Sequence, residues 1–188
     1  MPPDPLQILQ EVGAILEGHF VLTSGRHTDQ YVNKDDLYPH TDPTSELCHR
    51  IAVFSDDGVQ TVVAPEKGGI ILSQWVAHHL TNQLGREVLA VYAEKAPGGG
   101  FAFGRRYDRL VAGKRVLVAE DVITTGDSVQ AVIDAVKDLR GTIVGVGVLC
   151  NRSGMDSTGP CQATQRALGP RPYHPSHDFL GRRGMPSL

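Results

Sequence analysis

Short runs of apolar, often β-branched residues recur along the chain, and segments with helical spacing lie between them. The runs include QTVVAP at 60–65, RVLVA at 115–119 and TIVGVGVLC at 142–150. Strands that are apolar at nearly every position are buried on both faces, as in parallel sheets covered by helices. The pattern therefore predicts an α/β fold with a central, mainly parallel sheet and helices on both faces.

The loops that follow these strands are rich in charged residues and glycine. In a parallel sheet the carboxyl ends of the strands meet at one edge, and ligands bind there, near the switch in strand order. The sequence therefore predicts one site built from several loops. These loops are APEKGG at 64–69, AEKAPGGG at 93–100, EDVITTGDS at 120–128 and CNRSG at 150–154.

The segment VLVAEDVITTGDS, residues 116–128, combines two kinds of binding group. Glu120 and Asp121, which we expect in the loop after the strand, are hydrogen-bond acceptors that suit neighbouring sugar hydroxyls or a hydrated Mg²⁺. Gly126 lets backbone N–H groups approach a ligand, and the helix predicted to begin near Ser128 directs its free N–H groups at the same point. A ribose 5-phosphate fits both halves of the segment.

The N-terminal part has a different pattern. The segment 5–18 has apolar residues at helical spacing and predicts a helix, while 20–34 predicts a hairpin that turns at Ser24 and Gly25. The apolar residues of this helix are Leu6, Leu9, Val12, Ile15 and Leu16. The chain thus divides into an N-terminal helix and hairpin at 1–40, a core at 41–153 and an irregular tail at 154–188.

Charge and composition argue against nucleic-acid and membrane partners. The formal net charge is -3 at pH 7 without a basic stripe, so no attraction to nucleic acid is expected. We expect no membrane span and no secretory signal, because long apolar windows and a basic start are both missing from the sequence. The three cysteines, Cys48, Cys150 and Cys161, lack metal-finger spacing and predict free thiols in a reducing cytoplasm.

The segment 116–128 resembles the phosphoribosyl pyrophosphate motif of the type I phosphoribosyltransferases, in which two acids separate an apolar strand from a Thr/Gly-rich turn. The opening at 16–34 and the loop CNRSG are similar to those of the orotate phosphoribosyltransferases within that family. The resemblance implies the type I phosphoribosyltransferase fold with a base-binding N-terminal hood, and a homodimer. It also implies Mg²⁺-dependent transfer of ribose 5-phosphate from phosphoribosyl pyrophosphate to orotate for pyrimidine synthesis.

The resemblance assigns roles to individual residues. Lys95 and Asp121 would be catalytic, and Mg²⁺ would be bound through the substrate rather than by protein ligands. Orotate would contact Tyr31, Thr124 and Arg152, whose planar guanidinium suits a carboxylate. The phosphoribosyl pyrophosphate site would comprise Lys67, Gly68, Gly69, Lys95, Glu120, Asp121, Val122, Ile123, Thr124, Thr125, Gly126, Asp127 and Ser128.

The sequence departs from the family pattern at two places in this site. Asp127 stands where relatives usually have a small or neutral residue, so it must point away from the phosphate or cap the helix. The loop KAPGGGFAFGRR at 95–106 resembles the mobile loop of the family but lacks its Lys-x-His pair. Lys95, Arg105 and Arg106 would supply the cations that neutralise the leaving pyrophosphate.

Two other functions remain open at this point. One is a phosphoribosyltransferase for another base, as in purine salvage. The other is a non-catalytic regulator that senses phosphoribosyl pyrophosphate through a retained fold, because a fold does not by itself determine a function.

Overall fold

The computed structural model describes residues 4–21, 25, 27–53, 55 and 57–151 of the chain. Strands and helices alternate through most of this part. The strands are β1 (Ile15–Val21), β2 (His27–Val32), β3 (Thr61–Pro65), β4 (Leu89–Lys95), β5 (Phe101–Ala102), β6 (Arg115–Ile123) and β7 (Thr142–Asn151). The helices are α1 (Pro5–Glu11), α2 (Lys34–Leu37), α3 (Thr41–Val53), α4 (Gly69–Leu84), α5 (Asp108–Val111) and α6 (Asp127–Asp138).

A five-stranded central sheet has the order β5-β4-β3-β6-β7 within the described residues. The strands β4, β3, β6 and β7 run parallel to one another, while the short β5 at the edge runs antiparallel to β4. All five residues of β3, at the centre of the sheet, are buried. These features confirm the predicted mainly parallel sheet.

Helices cover both faces of this sheet. Leu117 of β6 is buried in the same cluster as Leu72 of α4, whereas its neighbour Val118 is buried with Val132 of α6. Each such side chain contributes roughly 1.5–3 kcal/mol when it is fully buried. Successive side chains of β6 therefore stabilise α4 on one face of the sheet and α6 on the other, as the sequence predicted.

The N-terminal helix is shorter than predicted. The helix α1 ends at Glu11, and Gly13 has a φ of 72°, a left-handed conformation that commonly terminates helices. Ile15 and Leu16 then lie in β1, where Ile15 pairs with Val32. The prediction of a helix through these two residues is wrong because pairing with a second strand overrides their helical spacing.

The predicted N-terminal hairpin is confirmed by the antiparallel pairing of β1 with β2, which form their own two-stranded sheet. Val21 pairs with His27, and Ser24 of the predicted turn lies outside the described residues. The proposed division of the chain at residues 40 and 153 stays a prediction. The segment 154–188, predicted to be an irregular tail, also lies outside the described residues.

The cysteines differ from the sequence-based expectation. Cys48 is a buried free thiol, but Cys150 is disulfide-bonded, so the prediction of free thiols is wrong for Cys150. Spacing along a sequence does not show which residue the fold brings beside a given cysteine. No helix in the described part of the chain has the length and apolar character needed to cross a membrane.

Candidate functional site

The candidate site lies where the strand order of the central sheet reverses. The strands β3 and β6 are neighbours, but the chain leaves β3 for α4 and β4 on one side and β6 for α6 and β7 on the other. A crevice forms at the carboxyl ends of two such strands, because the following helices cover opposite faces. The predicted loops at 64–69 and 120–128 flank this crevice.

The loop after β3 presents a lysine and a helix start. The Glu66–Lys67 peptide is cis, and Gly68 is the N-cap of α4. Among the described residues no side chain caps this helix, and although the Ile70 N–H donates to the Lys67 carbonyl at 3.2 Å, a helix start of this kind can bind an anion. Gly69 packs so closely on β3 that an added Cβ would collide with the Cβ of Ala64.

Backbone hydrogen bonds hold Lys95 beside this loop. The Lys95 N–H donates to Glu66 Oε1 at 2.8 Å, and the Glu66 N–H donates to the carbonyl of Ala93 at 2.9 Å. Lys67 and Lys95 thereby share a cavity of about 460 Å³, where lysines outnumber carboxylates, which favours an anionic ligand. The described residues that line it are Lys34, Asp35, Tyr38, Glu66, Lys67, Gly68, Ile71 and Lys95.

Glu120 and Asp121 lie inside a strand, and the expectation that they occupy a loop is wrong. The strand β6 continues to Ile123, which pairs with Asn151 of β7, and both acidic residues are only 6% exposed. Pairing with β7 extends the strand beyond its apolar run, which is why the run alone did not indicate its end. Successive strand residues face opposite sides of a sheet, so the two side chains are directed toward different helix starts, although the two carboxyl groups still interact.

Asp121 faces the start of α4. Its Oδ2 is 2.6 Å from Nζ of Lys34, and its Oδ1 accepts a hydrogen bond from the Val122 N–H at 2.7 Å. An added Cβ at Gly68 would collide with both the carboxylate and the ammonium group. Burial would by itself lower the pKa of Lys34, but the hydrogen bond and charge of Asp121 raise that pKa overall, so Lys34 stays protonated.

Glu120 faces the turn before α6. It lines a small recess of about 30 Å³ there, and its Oε1 accepts a hydrogen bond from the Asp121 N–H at 3.1 Å. Burial, followed by the negative charge of Asp121, raises the pKa of Glu120 to about 8. Glu120 is therefore mostly protonated at neutral pH.

The raised pKa predicts that the folded protein loses stability as pH rises from about 4.5 to about 8. Below this interval Glu120 is protonated whether the chain is folded or not, while within it only the unfolded chain ionises, which favours unfolding. We expect the melting temperature of the wild type to fall across the interval, relative to Glu120→Gln, by at least about 2–4 °C. Thermal melts of both proteins over this pH range measure the difference, and parallel curves would contradict the assigned pKa.

The turn before α6 is built from the Thr/Gly-rich segment. Gly126 has a φ of 87°, which glycine adopts readily, and α6 begins at Asp127, one residue from the predicted start near Ser128. The N-cap residue Gly126 offers no capping side chain, but the Asp127 N–H donates to Thr125 Oγ1 at 3.4 Å, so Thr125 must turn away before that N–H can bind a ligand at the recess. The described residues that line the recess are Glu120, Val122, Ile123, Thr124, Thr125, Gly126, Asp127, Ser128 and Val129.

Asp127 is exposed and binds the hydroxyl of a neighbouring residue. Thr125 Oγ1 donates a hydrogen bond to Asp127 Oδ2 at 2.8 Å, and the Asp127 side chain makes no cap on α6 among the described contacts. The Asp127 carboxylate therefore neither caps the helix nor points fully away from the phosphate turn, because it binds Thr125. A hydroxyl has one proton, so Thr125 must release Asp127 before it can donate to a phosphate.

The predicted mobile loop folds as a short hairpin. The strand β5 pairs with the end of β4 at Lys95 and Phe101, and Phe101 packs against the buried cluster on the α6 face. Arg105 Nε donates to Glu94 Oε1 at 3.1 Å, and the guanidinium lies 5.9 Å from the centre of the Tyr92 ring. Arg105 is thus bound to its own hairpin and is not among the described residues that line the larger cavity.

The structure does not bring the predicted orotate residues together within its described part. Tyr31 is 39% exposed on β2, with its ring 5.5 Å from that of Phe20, and it is not among the described lining of either cavity. Thr124 lines the smaller recess. Arg152 lies outside the described residues.

Five residues that line the larger cavity were not predicted from the sequence: Lys34, Asp35, Tyr38, Glu66 and Ile71. Glu66 lies within the recognised loop at 64–69, so its position alone was a usable signal. Lys34 and Tyr38 come from the segment after the N-terminal hairpin, and only the folded chain shows that they reach the cavity. The Tyr38 hydroxyl is buried without a hydrogen-bond partner in the described residues, and burial, followed by the charge of Asp121, raises its pKa.

Comparisons with known proteins agree with this geometry. Residues 45–162 match the family of the phosphoribosyl transferase domain. The chain is 39% identical over 185 residues to the orotate phosphoribosyltransferase of Desulforamulus reducens, covering 97% of this chain and 93% of that protein. It is 44% identical over 147 residues to the orotate phosphoribosyltransferase of Pelotomaculum thermopropionicum, covering 78% of this chain and 73% of that protein.

A solved structure shows the same architecture. The orotate phosphoribosyltransferase of Mycobacterium tuberculosis H37Rv has a TM-score of 0.61 and 26% identity, covering 78% of this chain and 83% of that chain. The chain therefore belongs to the phosphoribosyltransferase family and has its type I fold. The three relatives described above are all orotate phosphoribosyltransferases.

Proposed function

We propose that the protein transfers ribose 5-phosphate from phosphoribosyl pyrophosphate to orotate, giving orotidine 5'-phosphate and pyrophosphate in de novo pyrimidine synthesis. The main structural support is the position of Glu120 and Asp121 between the starts of α4 and α6, where backbone N–H groups can bind anions. Phosphoribosyl pyrophosphate has its sugar hydroxyls between a phosphate and a diphosphate, which matches an acidic pair between two helix starts. The shared name of the relatives supports orotate as the acceptor.

The substrate would lie across the switch point of the sheet. Its 5-phosphate would accept hydrogen bonds from the turn at 124–128, and its diphosphate would bind the loop at 67–69 together with Lys95. A helix start contributes up to about 2 kcal/mol to a partly buried anion. The ribose hydroxyls would donate to the Asp121 carboxylate and to the carboxyl oxygen that protonated Glu120 still offers as an acceptor.

The chemistry follows from positioning and charge. As the bond between ribose and pyrophosphate loosens, positive charge grows on the sugar and the orotate nitrogen attacks from a fixed position. Lys67 and Lys95 lie at the cavity where negative charge would grow on the leaving pyrophosphate, and cations placed there stabilise the transition state more than the bound substrate. Lys95 and Asp121 are the proposed catalytic residues.

Mg²⁺ is the proposed cofactor. Glu120 and Asp121 offer the oxygen ligands that Mg²⁺ prefers, but within the described ranges no group of three His, Cys, Asp or Glu side chains is placed to hold a metal ion. We therefore propose that the substrate diphosphate supplies most of its ligands. When bound there, the ion adds positive charge to the leaving group.

The proposed contacts with orotate, the acceptor, are Tyr31, Thr124 and Arg152. We propose that Arg152 pairs with the orotate carboxylate and that Tyr31 lies against the pyrimidine ring, which requires the hood to approach the crevice. A homodimer, in which the loop at 95–106 reaches the partner's site, would bring further cations to the pyrophosphate. The proposed location is the cytoplasm.

An absorbance assay tests the proposal directly. The purified protein is mixed with phosphoribosyl pyrophosphate, Mg²⁺ and orotate, and orotate consumption is followed, with hypoxanthine, adenine and uracil as alternative acceptors. Turnover of orotate alone is the expected result. Pyrophosphate release with another base would assign a different acceptor, and binding without turnover would favour a sensor of phosphoribosyl pyrophosphate.

A further inference from the structure

Lys34 connects the N-terminal hood to the candidate sugar site. It is the first residue of α2, directly after the hairpin, and its Nζ lies 2.6 Å from Oδ2 of Asp121 on β6. The side chain of Lys34 is 35% exposed and that of Asp121 only 8%. The pair therefore joins an element of the hood to a buried carboxylate on β6, at the crevice.

The backbone around Lys34 is fixed by hydrogen bonds within α2 and to the segment before β1. The Asn33 N–H donates to the carbonyl of Ala14 at 2.8 Å, and the Asn33 side chain accepts from the Asp35 N–H, which caps α2. The Tyr38 N–H donates to the Lys34 carbonyl at 3.0 Å. The sequence after the hairpin thus presents the lysine from an ordered turn of helix.

The charges around Lys34 require a cation at this point. Asp121, Asp35 and Glu120 all act on its ammonium group. A buried carboxylate without a compensating partner is strongly disfavoured, and a second acidic residue, Glu120, is adjacent in sequence. Without Lys34, Asp121 would lose the contact at 2.6 Å that fixes its orientation.

We propose that Lys34 is a positioning residue for the sugar site, which holds the Asp121 carboxylate aimed at the ribose hydroxyls. This inference rests on the proposed function and deepens it, because it makes ribose binding depend on the docking of the hood. Lys34 acts through Asp121, whereas Lys67 and Lys95 contact the diphosphate directly.

Calorimetric titration with ribose 5-phosphate and, separately, with pyrophosphate tests this role. Lys34→Met should weaken binding of ribose 5-phosphate by about 10-fold, the scale of one hydrogen bond to a charged group, and change pyrophosphate binding by less than about 2-fold. Lys34→Arg should restore most of the loss. In an Asp121→Asn background, Lys34→Met should have no further effect, because the two residues act as one unit.

The controls separate this role from folding and from the proposed function. Lys137→Met, at the far end of α6, should bind like the wild type, and thermal melts establish that every variant is folded. Equal ribose 5-phosphate affinity in the wild type and Lys34→Met overturns the inference, as does a loss confined to pyrophosphate. If the wild type itself binds no ribose 5-phosphate and consumes no orotate, the proposed function fails as well.

Discussion

Asp121→Asn is expected to lower kcat/KM for phosphoribosyl pyrophosphate by about 10–100-fold, while the KM for orotate changes little. A carboxylate that accepts hydrogen bonds from sugar hydroxyls contributes about 1.5–3 kcal/mol, and an amide of the same shape lacks its charge. The substitution also removes the charge partner of Lys34, which lies 2.6 Å away. The loss therefore falls on the sugar substrate rather than on the base.

Steady-state kinetics with each substrate varied in turn measure this effect. Asp134→Asn is a matched control, since Asp134 is exposed on α6 and accepts a hydrogen bond from Gln130 outside the crevice. The control should keep the kinetics of the wild type. Unchanged Michaelis constants in Asp121→Asn would refute the role assigned to this carboxylate.

The central sheet could be predicted because each of its strands carries a local signal. The run at 60–65 is apolar and β-branched, and all of β3 is buried on both faces. Gly85, with a φ of 62°, ends α4, and glycine is the residue that adopts this left-handed conformation most readily. In these segments the local sequence preference and the burial in the fold indicate the same element, so the order of strands and helices can be predicted from the sequence.

The predictions that were wrong, or that missed a residue, depend on contacts distant in sequence. Ile15 and Leu16 have helical spacing, but Val32 supplies a strand partner that the spacing could not show. The burial of Glu120 depends on the continued pairing of β6 with β7. The contact between Lys34 and Asp121 was also unpredictable, because it joins the hood to the core only in the folded chain.

Gly68→Ala is expected to lower kcat/KM for phosphoribosyl pyrophosphate by at least about 10-fold without unfolding the protein. Gly68 has φ and ψ of -61° and -35°, which alanine adopts without strain, so the backbone itself does not require glycine. The added Cβ would instead collide with the Asp121 carboxylate and the end of the Lys34 side chain. Because all of these atoms lie at the ends of side chains, we expect the collision to displace the Asp121 carboxylate and the Lys34 ammonium group, which separates the pair, rather than the backbone.

Gly147→Ala provides a contrast in which the same added methyl group meets packed core atoms. Its Cβ would collide with Ile51 of α3, which is buried between the helix and the sheet. Overpacking of this kind costs about 1–3 kcal/mol, so the melting temperature should fall by several degrees while the folded fraction retains its kinetics. Thermal melts and steady-state kinetics on both variants therefore distinguish a glycine that leaves room for the Asp121–Lys34 pair from one that leaves room for core packing.

A Gly68→Ala enzyme with the kinetics of the wild type would show that the contact of Asp121 with Lys34 is not needed for substrate binding.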